Sequence, residues 1–462
     1  MTNMRLEHDL LGEREVPAER YYGIQTLRAL ENFGITGIPI SQYPRLVHSL
    51  AYIKKAAAQA NQELGLLPAE IADAIIRACD DILHGELLTE FVVDVIQGGA
   101  GTSTNMNANE VIANRALEHL GYSRGRYDVV HPLNHVNLSQ STNDVYPTAL
   151  RLTLSMKLDG LMVEMKGLQR TLVDKAAEFT NVIKMGRTQL QDAVPMTLGQ
   201  EFEAWGVTVG EDIARVSEAQ ALIREINMGA TAIGTGLNAP PGYAALVTQR
   251  LHQLSGVPVV KSENLVEATQ DAGAYVQLSG VLKRVAVKLS KISNDLRLLS
   301  SGPRAGLGEI NLPPMAPGSS IMPGKVNPII PEVVNQVAFE VIGNDLTITM
   351  AAEAGQLELN AMEPVIAYNL FTSLDMLGRA CRTLAERCIR GITANREHCR
   401  QMVENSIGLV TALNPLLGYE RSTEIANEAL RTGKSVVEIV LEKGYLSKEE
   451  LEQVLSPEKM VR

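Results

Sequence analysis

Apolar residues recur at helical spacing over a long central part of the chain. Between residues 146 and 390, five segments place an apolar residue at every third or fourth position, which is the pattern of a single stripe on an amphipathic helix. At ~1.5 Å per residue, segments of about 25–35 residues form helices of about 40–50 Å. The stripes occupy residues 154–172, 198–226, 278–299, 334–341 and 366–388.

Helices of this length are typical of a helical bundle, because most globular helices span only ~8–20 residues. Small apolar residues at 272–274 and 351–352 lie away from the main stripes, so these helices need more than one neighbour. We therefore predict a mainly all-α protein of three largely helical domains, whose central long five-helix bundle packs into an oligomeric helical core. The predicted domains are a mostly helical N-terminal domain with short strands around residues 35–40, the central bundle, and a small helical C-terminal domain, at residues 1–140, 141–390 and 391–462.

Composition restricts the possible partners. Among 462 residues, 42 Lys and Arg face 53 Asp and Glu, a net charge of −11, which argues against nucleic acid and anionic membranes as partners. Aromatic residues make up only 4% of the chain, too few for an RNA-stacking platform. No apolar run is long enough to span a bilayer.

The cysteines and the N-terminal sequence point to a cytoplasmic protein. The four cysteines form no C-x-x-C pair and no zinc-like spacing with histidine, so we expect free thiols in a reducing compartment. The first residues, MTNMRLEHDLLGEREVP, are too polar for a signal peptide.

Four segments rich in hydroxyl and amide side chains each precede a predicted helix. Ser, Thr and Asn are common N-caps, so one such cluster carries little information. Four of them, two also rich in glycine, indicate helix N-termini gathered to bind a small carboxylate. Lys325 is the one obvious cation in the two glycine-rich segments, unless it is an ordinary solvated loop lysine. The segments are residues 98–107, 139–144, 186–192 and 318–328.

Other kinds of site find less support. GGAGTSTN in the first segment and GATAIGTGLN at residues 229–238 lack the last glycine of a dinucleotide loop and the Gly-Lys of a P-loop. The Gly-rich stretch 229–242 is interpreted as a connection between long helices. His131 and His135 flank the second segment and are more typical of structural residues than of bases. A Ser-His-Asp triad lacks the G-x-S-x-G elbow that would support it.

The fourth segment, GSSIMPGKVNP, resembles the signature loop of the fumarase/aspartase superfamily, and the similarity covers nearly the whole chain. Three features are more similar to the aspartase branch than to fumarases. They are Gln189 where fumarases usually carry His, Ala100 where they tend to carry Ser, and STND at 141–144 where they tend towards SSND. Residues 186–202, 331–345 and 353–368 also resemble aspartases.

The resemblance implies both an assembly and a reaction. The assembly is a homotetramer, and the reaction is the reversible anti-elimination of ammonia from L-aspartate to give fumarate, with no organic cofactor. The sequence itself contains no carboxylate cluster that demands a catalytic metal. The sequence does not show whether a divalent cation activates the reaction. The alternatives are a fumarate hydratase, a catalytically silent structural homologue, and a helical interaction scaffold.

The resemblance also implies a role for each site residue. Ser319 would be the general base that removes the Cβ proton, by way of an aci-carboxylate intermediate. The remaining residues would bind substrate. One carboxylate would be held by Lys325 and Asn327. The other carboxylate, on which charge builds up, would be held by Thr102, Ser141 and Thr142. The amino group would be bound by Asn143, Thr188 and Gln189.

Bundle geometry predicts that the site is shared between subunits. In an up-down bundle, consecutive helices begin at opposite ends. Within one chain, Thr142 would therefore lie about 40 Å or more from Thr188 and Lys325. If these residues share a pocket, different protomers must supply them, which predicts an obligate oligomer.

Overall fold

The computed structural model of the protein describes residues 3–454, which are mainly helical. Five helices of 25 to 37 residues form the largest elements. The helices are α1 (Ile24–Asn32), α2 (Pro44–Glu63), α3 (Ala69–Leu83), α4 (Thr102–His119), α5 (Thr142–Glu178), α6 (Leu198–Ile223), α7 (Tyr243–Ser255), α8 (Leu265–Gln270), α9 (Gly273–Leu299), α10 (Ile329–Glu353), α11 (Glu363–Arg387), α12 (Arg396–Glu404), α13 (Val410–Thr432), α14 (Val436–Glu442) and α15 (Lys448–Val454).

The described strands form four small two-stranded sheets. Three of the pairs are antiparallel, and the pair formed by Glu225–Ile226 and Val260–Lys261 is parallel. The strands are β1 (Met4–Asp9), β2 (Gly12–Pro17), β3 (Ile183–Thr188), β4 (Gln191–Thr197), β5 (Glu225–Ile226), β6 (Val260–Lys261), β7 (Ile310–Asn311) and β8 (Thr393–Ala394).

The apolar stripes lie in the five long helices α5, α6, α9, α10 and α11, except at two ends. Ile226 of the second stripe lies in β5, and Cys388 of the fifth follows the end of α11. The stripe residues of α5, α9 and α11, from Leu154, Leu278 and Ile366 onward, are buried. In α10, Val334 and Val341 are buried and Val337 is half-buried. The mainly helical fold class is therefore confirmed, and burial of these stripes is its main apolar stabilisation.

The chain divides into two compact units. The first comprises the described residues up to Met162, together with Ala214–Arg284 and Glu340–Met376. The second comprises Val163–Ile213, Val285–Phe339 and the described residues from Leu377 onward. Each boundary falls inside one of the five long helices. The division into three domains stays a prediction.

A loop takes the place of the short strands expected around residues 35–40. The Asp94 carboxylate accepts hydrogen bonds from the backbone N–H groups of Ile35 (3.1 Å), Thr36 (2.7 Å) and Gly37 (2.9 Å). An isolated bridge joins Pro39 to Asp94. The Asp94 carboxylate therefore binds the backbone N–H groups that a neighbouring strand would otherwise bind. Because of this, residues 35–40 form a loop and not an extended strand.

In the second unit, the β3–β4 hairpin packs on the C-terminal helices. Ile183 and Met185 of β3 join a buried apolar cluster with residues of α12 to α15, among them Val403, Leu413 and Ile439. Ser406 Oγ donates to Asp192 Oδ2 of β4 (2.7 Å). The C-terminal helices therefore support the hairpin that carries the third polar segment.

The four cysteines are free and buried, which confirms the expectation of unpaired thiols. Burial raises the pKa of each thiol, so these groups stay protonated at neutral pH.

Within residues 3–454, no helix combines the length and the apolarity needed to cross a membrane.

Candidate active site

The first polar segment is a tight left-handed turn that starts helix α4. Gly99, Ala100 and Gly101 have φ angles of 88°, 54° and 88°. A Cβ atom at Gly101 would lie 2.3 Å from the Tyr146 ring, so only glycine fits there. The Thr102 hydroxyl donates to the Gly99 carbonyl oxygen (2.7 Å). The turn thus places the exposed Thr102 at the N-terminus of α4.

The second segment starts helix α5 and is held by a buried carboxylate. Ser141 Oγ accepts a hydrogen bond from the Asn143 backbone N–H (3.2 Å), and Asp144 accepts one from the Ser141 N–H (3.0 Å). Asp144 also accepts from the N–H groups of Gly229 (3.2 Å) and Thr231 (2.9 Å). Burial raises the pKa of Asp144 to about 7, which these backbone donors oppose.

The Asn143 side chain has one defined orientation. Its Nδ2 donates to the Ala232 carbonyl oxygen at 2.7 Å. Because a carbonyl oxygen only accepts, the amide nitrogen must face Ala232 and Oδ1 must point elsewhere. Oδ1 is therefore available to accept a hydrogen bond from an ammonium group.

The sequence predicts only a connection between long helices for the stretch around residues 229–232. In the structure it contacts the second segment, through Gly229 and Thr231 on Asp144 and Ala232 on Asn143. Its Gly and Thr content resembles that of the four polar segments, and this was the available signal.

The third segment does not lie directly ahead of a helix, and that expectation was wrong. It forms the tip of the β3–β4 hairpin, and β4 intervenes before α6 begins at Leu198. Gln189 and Leu190 occupy the turn with φ angles of 56° and 64°, the backbone of a type I′ hairpin. Thr188 and Gln189 are both exposed at this tip.

A buried ion network supports the base of the hairpin. The fully buried Glu309 places Oε1 2.5 Å from Arg187 Nη1 and Oε2 3.1 Å from Lys184 Nζ. Lys184 Nζ also lies 2.7 Å from Glu201 Oε2. Burial raises the pKa of Glu201, and the charge of Lys184 opposes that shift. The network connects β3 to α6 and to the segment before β7.

The fourth segment is a loop that ends at helix α10. Ser319 Oγ accepts hydrogen bonds from the N–H groups of Ile321 (3.2 Å) and Met322 (2.9 Å). Asn327 Nδ2 donates to the Gly318 carbonyl oxygen (2.6 Å), which closes the loop at its base. Lys325 is exposed, whereas Ser319 and Asn327 are half-buried.

The nine predicted site residues fall into two groups. Thr102, Ser141, Thr142 and Asn143 lie in the first unit, and Thr188, Gln189, Ser319, Lys325 and Asn327 lie in the second. Asn105, one turn after Thr102 on α4, donates to Thr142 Oγ1 (3.0 Å), so the structure brings the first two segments together. No described hydrogen bond joins Thr188 or Gln189 to the loop of residues 318–328.

The two histidines beside the second segment bind backbone groups. His131 Nδ1 accepts from the N–H groups of Leu133 (3.0 Å) and Asn134 (3.2 Å), and His135 Nδ1 accepts from the His131 N–H (2.9 Å). Burial lowers the pKa of both imidazoles.

Across residues 3–454, no three His, Cys, Asp or Glu residues are grouped so as to hold a metal ion.

Comparison with known proteins places the chain in a family. The family model described as Lyase matches residues 12–343, and that described as Fumarase C C-terminus matches residues 409–462. The chain belongs to the fumarase/aspartase superfamily of lyases. An aspartate ammonia-lyase of Pseudomonas fluorescens is 60% identical over 460 residues, which are 99% of this chain and 96% of that protein.

Solved members of the superfamily have the same fold. The crystal structure of a Brucella melitensis fumarate lyase:delta crystallin bound to cobalt matches with a TM-score of 0.97 at 58% identity, over 99% of both chains. The recombinant class II fumarase of Schistosoma mansoni matches with a TM-score of 0.94 at 40% identity, over 98% of both chains. Because this fumarase shares the fold, the backbone alone does not distinguish the branches of the superfamily.

Proposed function

We propose that the protein is an aspartate ammonia-lyase, which eliminates ammonia from L-aspartate in the anti sense to give fumarate, reversibly. The observation that carries this proposal is the full-length 60% identity to an enzyme of that name. The chemistry available in the two groups of site residues supports it.

The reaction needs donors that stabilise charge as it forms. The Cβ proton of aspartate lies next to a carboxylate, so its removal creates a doubly charged aci-carboxylate. Donors fixed in advance around that carboxylate lower the barrier more than they strengthen substrate binding. We assign this role to Thr102, Ser141 and Thr142, which lie at the starts of helices α4 and α5.

The other substrate groups need a cation and acceptors. We assign the second carboxylate to Lys325 and Asn327. We assign the amino group to Asn143, Thr188 and Gln189. The fixed amide of Asn143 supports this assignment, because its Oδ1 is available to an ammonium.

Ser319 is assigned as the general base. A serine hydroxyl is a weak base at neutral pH, and it becomes effective only when its alkoxide is stabilised. The N–H groups of Ile321 and Met322 already donate to Ser319 Oγ, and donors of this kind favour the charged form. Lys325 in the same loop adds a positive charge nearby.

The chemistry requires no organic cofactor, because only a proton and ammonia leave the substrate and no electrons pass to a second molecule. A cytoplasmic location is proposed from the four free, buried thiols, which are typical of a reducing compartment.

A homotetramer with shared sites completes the proposal. Helix α10 exposes an apolar row at spacings of three and four residues, formed by Phe339 (64% exposed), Ile342 (36%), Leu346 (62%) and Met350 (64%). Such a row on one helix is typical of a protein–protein interface. The bundle geometry predicted from the sequence then requires more than one protomer at each site.

An assay of ammonia release tests the reaction. The purified protein is expected to release ammonia from L-aspartate with matching formation of fumarate, and to consume L-malate far more slowly. Malate consumption without ammonia release would instead identify a fumarate hydratase, which the fold shared with the Schistosoma enzyme allows. Activity on neither substrate would favour a silent homologue.

A further inference from the structure

Lys54 is a fully buried lysine on helix α2, and its neighbours are unusual. Its Nζ donates to three side-chain amide oxygens, those of Asn105 (2.7 Å), Asn137 (2.9 Å) and Gln140 (2.9 Å). No described carboxylate lies within ion-pair distance of Nζ. The buried Lys175 and Lys184, in contrast, are each paired with a glutamate. An unpaired buried charge destabilises the fold, so its presence suggests a functional role.

The hydrogen-bond partners of Nζ match its charged form. An ammonium has three N–H donors, which match the three oxygens, whereas a neutral amine would turn its lone pair towards one of them. Burial lowers the pKa of Lys54 to about 7, and the nearby Asp144 and Cys79 oppose this. Of these two groups, burial also raises the pKa of the Cys79 thiol, which keeps it neutral.

Asn105 connects Lys54 to Thr142. Because the ammonium only donates, Asn105 must turn Oδ1 towards it and Nδ2 away from it. Nδ2 then donates to Thr142 Oγ1 (3.0 Å) and to Asn137 Oδ1 (3.2 Å). In the described part of the chain, Thr142 Oγ1 has no other hydrogen-bond partner. Its oxygen therefore accepts from the network, and its proton is left to donate outward.

We propose that Lys54 is a positioning residue for the carboxylate subsite, whose buried ammonium, acting through Asn105, orients and polarises the Thr142 hydroxyl towards the substrate carboxylate that gains charge. This proposal rests on the proposed function. The extra negative charge exists only after the Cβ proton leaves, so a buried positive charge two hydrogen bonds away acts more on the transition state than on the bound substrate. Loss of the charge should lower kcat more than it raises KM.

Lys54→Met tests the proposal, with Lys55→Met as the matched control. Lys55 is the next residue on α2 and pairs with Asp80 at a half-buried position. We expect K54M to lower kcat for L-aspartate by about tenfold or more, since the loss of one direct transition-state donor costs about 10²–10³. Its KM should change little, and K55M should resemble the wild type. A wild-type kcat in soluble K54M would overturn the proposal.

A double-mutant cycle separates positioning from general destabilisation. If Lys54 acts through Thr142, K54M should cost much less in a Thr142→Val background than in the wild type. Equal costs in the two backgrounds would show that Lys54 does not act through Thr142.

Asn105→Asp covers the case in which K54M does not fold. It places a carboxylate on the buried ammonium, which pairs the charge and removes the donor to Thr142. A folded N105D with strongly reduced kcat supports the proposal, and one with full kcat overturns it. Failure of the proposed function itself would appear first in the wild type, as absent ammonia release. The same variants would then be compared with L-malate as substrate.

Discussion

The first two polar segments, in the first unit, and the loop of residues 318–328 that carries Ser319 (the serine loop), in the second unit, are built in opposite ways. Asp144 and Asn105, which hold the first two segments in place, are buried and make several hydrogen bonds each. The serine loop is exposed, with Ile321 at 82% and Val326 at 51%. Its hydrogen bonds are mostly local, from two N–H groups to Ser319 and from Asn327 to Gly318.

This difference suits the roles proposed for the two groups of residues. Donors that stabilise a forming charge work best when they are fixed beforehand, because they need no reorganisation during the reaction. A loop that carries the base over a substrate must also let the substrate enter, so it is drawn from segments with few tertiary contacts. The comparison therefore predicts that changes in the first unit alter charge stabilisation and folding, whereas changes in the loop alter turnover alone.

The largest effect is expected from Ser319→Ala. Loss of a general base costs about 10²–10⁴ in rate, so kcat should fall by about 10³ with little change in KM or in the unfolding temperature. Ser320→Ala is the matched control, because Ser320 is the exposed neighbour in the same loop. Steady-state rates of fumarate formation measure both variants. Near-normal turnover in S319A would remove Ser319 from the mechanism.

A comparably large effect, on stability, is expected from Glu309→Gln. This change leaves the buried Lys184 and the half-buried Arg187 without their shared carboxylate, and breaking a buried ion pair costs about 3–5 kcal/mol. Glu218→Gln breaks the exposed pair with Arg215 and should cost less than about 1 kcal/mol. Urea unfolding compares the two variants. Equal stabilities would show that the network does not hold the hairpin.

Subunit complementation distinguishes the two groups of residues. Thr142→Ala and Lys325→Ala should each be nearly inactive alone, and a mixture of the two after subunit exchange should regain a measurable fraction of activity. The control mixture is Thr102→Ala with Thr142→Ala. It should regain none, because Asn105 ties both segments together in one chain. No recovery in the first mixture, with exchange verified by native mass spectrometry, would contradict shared sites.

The sequence predicted what depends on local spacing and on family resemblance. The apolar stripes located all five long helices, and the polar segments lie where expected at two of them: 318–328 precedes α10, and 139–144 contains the start of α5. The hairpin was missed because its turn uses Gln189 and Leu190, not the Asn-Gly typical of a type I′ turn.

Long-range polar contacts were also missed. The carboxylate of Glu309 reaches Arg187, more than a hundred residues earlier in the chain, and Lys54 reaches Gln140. No spacing rule connects residues so distant in sequence, and a buried lysine cannot be told from a solvated one before the fold is known.

The last effect is expected from Glu363→Gln in the first unit, and unlike the others it depends on pH. Burial raises the pKa of Glu363 to about 8, against the pull of Arg151, from 4.5 in its ordinary state. The folded state therefore holds this proton more tightly than the unfolded state, and the carboxyl destabilises the fold increasingly as the pH rises from about 4.5 to about 8. Glutamine stays neutral, so the unfolding temperature of E363Q should match that of the wild type near pH 4.5 and lie a few degrees above it near pH 8.5. The control is Glu358→Gln at an exposed position, whose unfolding temperature should match the wild type at both pH values. A variant that is less stable than the wild type at every pH would show that Arg151 needs the ionised carboxylate.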